Sequence, residues 1–157
     1  MKPQYHLTSG TILSLILYLF FNVSLLNTCL FYIGTWLIPD LDHFITFFKK
    51  TKSINPKKFL ENSFRNRSKW INLEKKEKEK YQYKPMFLHS IEFIVILICL
   101  SFLLNNLTYL VWGIIFHDIL DVIDFIRRKE NVFVKLSCFY TIFYNKKRNK
   151  YKCRDEI

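Results

Sequence analysis

At 157 residues the chain has the length of a single domain, enough to bury a core without staples. Half of its residues are hydrophobic and 18% aromatic, yet 24 Lys and Arg stand against 13 Asp and Glu for a formal charge of +11, so apolar and basic residues must be segregated along the chain. That segregation excludes a soluble core under an evenly mixed surface, and four cysteines without CxxC spacing argue against disulfides or zinc thiolates.

The first element carries no charge from Leu7 to Pro39. Lys2 followed by TILSLILYLFF has the shape of a signal peptide, and LNTC, ending at Cys29, that of a lipoprotein cleavage box. Asn27 and Thr28 nevertheless stand where small residues belong, and the apolar run continues to Pro39, so the segment is read as retained. It is too long for one crossing, which takes about 20 residues. NVSLLN, Asn22 to Asn27, offers a turn near its middle, which makes 7–39 a helical hairpin. A basic linker follows over 44–85: from Phe44 to Leu88 thirteen Lys and Arg oppose four Glu. Within it, Phe59, Leu60, Phe64, Trp70 and Ile71 among the basic residues read as an interfacial helix on anionic headgroups, and NLEKKEKEKYQY as a solvated helix or tether. The second apolar element, 89–121, is uncharged from Phe93 to Phe116 and has its own turn signal in NNLT, Asn105 to Thr108. VFVKLSCFYTIFY forms a further short membrane-associated helix, and 127–157 is a basic tail with ten Lys and Arg against three acids. The fold class is therefore all-α: one membrane-embedded helical bundle, 1–157, built from two hairpins joined by a basic charged linker.

The four histidines mark where chemistry sits. His43 is flanked by Asp40 and Asp42 in PDLDH; His89 precedes Glu92 in LHSIE; His117 is followed by Asp118 and Asp121 in FHDILD; His6 stands alone in YHLTSG. Seven of the thirteen acids lie in the linker and tail, and of the other six only Asp124 is more than four residues from a histidine. Imidazole and carboxylate are the usual ligands of zinc and other hydrolytic metals when thiolates are absent. A histidine and an acid three or four residues apart on a helix share a face, which suits a common ion.

A shared ion demands a particular topology. His6 and Asp40 are thirty-four residues apart, a separation of about 50 Å along one straight helix at roughly 1.5 Å per residue. His89 and His117, twenty-eight apart, would be separated by about 40 Å. Hairpins bring all four motifs to one side, and they place Lys2, the linker and the tail together on the cytoplasmic side, as the positive-inside rule prefers. Arms this short sit shallow or tilted in the bilayer.

YHLTSG, LIPDLDHF, FLHSIEF and WGIIFHDILD resemble, in order, the His-x-x-x-Gly, Pro-Asp-x-Asp-His, His-Ser and Gly-x-x-x-His-x-x-x-Asp signatures of the membrane-bound metal-dependent hydrolases (YdjM-like inner-membrane proteins). That family is in turn similar to zinc-dependent phospholipase C and the S1/P1 nucleases. The match covers Tyr5 to Asp121; YKPMFLHS departs from it in lacking a His-Arg pair ahead of the His-Ser motif. The resemblance implies metal ligation by His6, Asp42, His43, His89, His117 and Asp121, to which the pairing with His89 adds Glu92. The expected cofactor is a divalent metal, zinc for preference, as one or two ions. Asp40 or Asp118 is then the group that orients a water or takes its proton. The expected function is a membrane-bound metal-dependent hydrolase at the cell membrane, acting on a phosphate ester or a lipid-linked substrate, with anionic lipid headgroups as partners. The alternative is a non-enzymatic small integral membrane protein whose polar cluster or structural metal staples the hairpins. Nucleic acid is not expected as a partner, since no recognition helix or stacking platform accompanies the basic residues.

Overall fold

The computed structural model describes residues 3–78, 80–147 and 152–153. In chain order they form α1 (Pro3–Phe20), α2 (Leu25–Thr51), α3 (Pro56–Asn72), α4 (Lys75–Lys78), β1 (Tyr81–Gln82), α5 (Ile91–Ser101), α6 (Leu107–Arg127), α7 (Phe133–Leu136), α8 (Cys138–Lys147) and β2 (Lys152–Cys153). The architecture is helical. Among the described residues the strand pairing is confined to a two-residue parallel ladder between β1 and β2.

The two hairpins are α1–α2 and α5–α6; the first turn is shorter than its sequence signal and the second begins ahead of it. Asn22 takes a left-handed conformation at φ 51°, Ser24 accepts from the Asn27 backbone N–H, and α2 is under way by Leu25. In the second hairpin the break falls at 102–106, and α6 begins at Leu107.

α2 and α6 form the spine, and glycines set their separation. A Cβ on Gly113 would lie 2.2 Å from the Phe31 carbonyl oxygen, and one on Gly34 would lie 2.4 Å from that of Leu110. Beyond the crossing of Gly34 with Gly113 the neighbours advance together, Thr35 against His117 and Asp40 within ligand reach of His117, so the two helices run in the same direction. Both hairpin turns therefore lie at one end of the bundle and the histidine motifs at the other. Leu97, Val111 and Ile114 form the apolar core beside this crossing, with Ile38 and Phe93 packed on it.

Three expectations are corrected. Pro39 does not end the first arm, because α2 runs through it to Thr51. The linker does not float: α3, capped by Asn55 and opened by Pro56, docks on the bundle at both ends. Phe59 packs against Phe44 and Phe47 of α2, and Trp70, 1% exposed, donates its indole N–H to Glu130 and packs against Tyr81 and Tyr83. The apolar run 132–144 is not one helix, since the chain breaks at Ser137 between α7 and α8. No helix among the described residues is long and apolar enough to cross a membrane. The reason lies in the site: α2 and α6 carry Asp40, Asp42, Asp118, Asp121 and Asp124 in their second halves, and α5 has only 11 residues.

Candidate metal centre

Four helices meet at the pole opposite the hairpin turns. His6 comes from the first turns of α1, Asp40 and His43 from the second half of α2, His89 from the residue before the Ser90 cap of α5, and His117 and Asp121 from successive turns of α6. The imidazoles gather. His6 stacks on His117 with ring centroids 3.9 Å apart, His117 meets His89 edge-on at 5.1 Å, and His89 meets His43 at 5.2 Å. His6, His89 and His117 are each 2% exposed or less.

Two groups of donors lie close enough for one ion: His6, His117 and Asp121; and Asp40, His89 and His117. Within each, one ligand atom per residue lies within 4.8 Å of the others. The structure thus gathers five of the nine residues singled out in the sequence, and it moves Asp40 from the expected proton-handling role to a donor position.

Pro39 explains how His117 is oriented. A proline has no N–H, so the carbonyl four residues back, that of Thr35, loses its helical partner. His117 Nδ1 lies 2.8 Å from that oxygen and donates to it. The proton is thereby placed on Nδ1, and the Nε2 lone pair is left for a ligand. Nε2 lies 3.6 Å from Asp121 Oδ2, too far to bond, and has no hydrogen-bond partner among the described residues.

The other polar atoms tell the same story. Both ring nitrogens of His89 lack hydrogen bonds among the described residues although its ring is fully buried, and so does His6 Nδ1. His6 Nε2 lies 3.2 Å from Asp121 Oδ1. Burial lowers the pKa of His6, with the Asp121 contact opposing it; burial holds His89 well below 6.5, reinforced by Lys135 and His117. Burial alone would raise Asp121, but Lys135 and the two imidazoles overcome it and hold the carboxyl well below its ordinary range. Burial pushes Asp40 up to about 6. Burial thus holds His6 and His89 toward the neutral form beside a firmly ionised Asp121, the protonation states that a metal requires.

Four expected residues stand outside the two groups. Asp42 accepts the Leu88 N–H at 2.7 Å, which pins the segment that presents His89 and leaves the carboxylate 3.7 Å from His89 Nδ1. His43 lies edge-on to His89 and faces the adjoining cavity. Glu92 is turned away altogether. It accepts from the Ser137 hydroxyl and from the N–H groups of Cys138 and Phe139, which caps α8. Spacing misled there because His89 precedes the helix cap, so the helical i,i+3 relation to Glu92 does not hold. Asp118 is buried beside His117 in sequence with neither oxygen bonded among the described residues; burial raises its carboxyl to about 7, with Lys135 opposing and Asp121 adding.

Two participants were not singled out. Lys135, the lone charge between Asn131 and Asn145, places its ammonium 2.9 Å from Asp121 Oδ2. Asp124, the acid without a nearby histidine in sequence, pairs with Arg67 and Arg128 instead. No family model matches the chain, and no curated protein or solved structure matches it either.

Proposed function

We propose that the chain is a membrane-associated, metal-dependent hydrolase of the YdjM-like kind, holding one divalent ion, zinc for preference, through His6, Asp40, His89, His117 and Asp121. The observation that carries this is His89: a fully buried imidazole with both nitrogens unbonded among the described residues, facing other donors in the same condition. Each unsatisfied buried polar atom costs about 1–3 kcal/mol, and a bound cation offsets several at once. Nitrogen and carboxylate donors without thiolate suit zinc. Both donor groups need His117, whose single free lone pair serves one ion, so a mononuclear centre follows.

Access supports an enzyme over a structural staple. His6, Asp40 and Asp121 line an adjoining cavity of about 210 Å³ rather than sitting in a closed knot. The ion supplies Lewis-acid activation of a water and of a phosphoryl oxygen. In hydrolysis of a phosphate ester the water oxygen bonds to phosphorus as the bond to the alcohol oxygen breaks. The water's proton passes to the leaving oxygen; Asp118, raised to about 7, lies one residue from His117 and outside the cavity lining, and is the acid proposed to relay it.

The bilayer reading rests on the opposite pole. Phe20, Phe21 and Leu25 at one turn are 76%, 70% and 65% exposed, and Phe102 and Leu103 at the other are 80% and 79% exposed. α5 is about 16 Å long at roughly 1.5 Å per residue, which matches one leaflet of a hydrocarbon core about 30 Å thick. Both turns dip into the cytoplasmic leaflet, and basic residues of the linker face its anionic headgroups.

Metal analysis of the purified chain by plasma mass spectrometry tests the centre. One equivalent of zinc is expected, lost in His89→Ala and His117→Ala. A chain without bound metal that is indifferent to both substitutions overturns the reading. Loss of phosphate-ester turnover on chelation, with retained helicity, separates the enzyme from a metal-stapled fold.

A further inference from the structure

The cavity beside the metal centre has a second wall, and its charge is informative. Lys50, Arg67, Lys84, Arg128 and Lys135 line it against two carboxylates, Asp40 and Asp121, a surplus of three positive charges. Asp124, which pairs with both arginines, and Glu130, which pairs with Arg128, offset part of this charge, and a bound divalent ion adds to it. A partly enclosed space of this sign concentrates anions.

The far wall is α3, the helix that the sequence placed on a membrane surface. Asn62, Ser63, Asn66 and Arg67 face the cavity from successive turns. Arg67 is held by Asp124, whose oxygens accept from one guanidinium nitrogen at 3.1 and 3.0 Å, and its Nε is buried with no hydrogen-bond partner among the described residues. A planar cation fixed from behind by a carboxylate is suited to a tetrahedral oxyanion on its open edge. The volume of about 210 Å³ far exceeds the roughly 10–15 Å³ that a single water needs, which leaves room for a phosphate group and a substituent.

We propose that this cavity is a phosphate-binding site. Lys50, Arg67, Lys84 and Lys135 hold a phosphate group with its ester bond toward the metal centre, and Asn62 and Asn66 of α3 read the polar substituent. The phosphate belongs either to a lipid whose chains stay in the bilayer or to a small soluble ester. This deepens the hydrolase reading and rests on it for what happens to the ester, but not for the binding of the anion.

The test uses the full chain in detergent micelles, stripped of metal, titrated calorimetrically with inorganic phosphate, with zinc binding followed on the same preparations by chelator competition. Saturable phosphate binding is expected. Lys50→Gln, at an exposed position, weakens it about tenfold, the effect of losing one charge-assisted hydrogen bond. Asn66→Asp, which puts a carboxylate into the wall, weakens it further, and both variants keep the parent's melting temperature within a few degrees. Absence of saturable binding, or equal binding by both variants, overturns the proposal. Zinc bound without phosphate refutes the cavity and spares the metal centre; phosphate bound without zinc does the reverse. Flotation with phosphatidylcholine vesicles, with and without phosphatidic acid, separates the sources: enhancement by phosphatidic acid that Asn66→Asp abolishes identifies a lipid headgroup, and unchanged flotation beside tight phosphate binding identifies a soluble ester.

Discussion

Pro39→Ala is expected to stabilise the fold and weaken the metal centre at the same time. The substitution restores an N–H at position 39, which donates to the Thr35 carbonyl as in any helix interior. Removing proline from a helix interior gains about 3 kcal/mol in propensity. Against this, Pro39 is fully buried in α2, and losing two ring carbons costs about 1.6 kcal/mol at roughly 0.8 per methylene. The net gain is about 1–2 kcal/mol, read as a higher denaturant midpoint of the metal-free chain. The Thr35 oxygen, however, is the acceptor of His117 Nδ1 at 2.8 Å. Its two lone pairs allow sharing, so the hold on the ring is weakened rather than abolished, and zinc affinity falls about tenfold, the low end of what loss of such an outer partner costs. Competition with a chromophoric chelator measures it. Unchanged affinity in the stabilised variant would refute the idea that the proline exists to free that carbonyl.

Gly113→Ala carries the opposite expectation for stability. Its Cβ would meet the Phe31 carbonyl at 2.2 Å, backbone that cannot rotate aside, and forcing such overlap typically costs about 1–3 kcal/mol, more than the roughly 1 kcal/mol that alanine gains in a helix; thermal unfolding should show a drop of several degrees, and an unchanged melting temperature contradicts the crossing. Acidifying the metal-free chain from pH 7 to 5 sets two buried imidazoles against two buried carboxyls. In the unfolded state His6 and His89 protonate near 6.5, whereas burial keeps both neutral in the fold, so stability is lost as pH falls through that window. Asp40, at about 6, and Asp118, at about 7, take up protons in the fold over the same range and act in the opposite direction, so the imidazole contribution is read by difference: relative to the parent, His89→Gln should gain stability between pH 7 and pH 5, and denaturant midpoints at the two pH values decide. Glu92→Gln should lower the unfolding free energy by about 1–2 kcal/mol through the α8 cap while leaving zinc stoichiometry intact; loss of zinc would restore Glu92 to the ligand set.

What could be read from the chain was what obeys local rules. Two uncharged runs broken by asparagines gave hairpins, and hairpins required the histidine ends to meet. Local rules also produced the misses. Pro39 reads as a stop because proline removes a helical hydrogen bond, but α2 continues because a side chain from α6 replaces the lost partner. His89 and Glu92 read as one helical face, yet the Ser90 cap falls between them. His6 had no acid near it in sequence; its partner Asp121 is 115 residues away. The linker's basic residues read as solvated because composition cannot show that Arg67 meets Asp124 and Trp70 meets Glu130 across 57 and 60 residues.

Lys135 ties the two proposed sites together. Its ammonium lies 2.9 Å from Asp121 Oδ2, so it competes with the ion for the same carboxylate. When an ion takes Asp121, that ion pair weakens and the ammonium is left facing the cavity it lines, where an anion can use it. Zinc and phosphate should therefore bind with positive coupling. Linkage makes the coupling reciprocal, so phosphate must tighten zinc by the same factor as zinc tightens phosphate. Direct attraction between the ion and the anion contributes too, and Lys135→Gln separates the two sources: it should tighten zinc alone, by removing the competitor, and reduce the coupling factor without abolishing it. Equal zinc affinity in the parent chain and in Lys135→Gln would mean that the lysine only fills space beside Asp121. The two sites would then be neighbours without being linked through it.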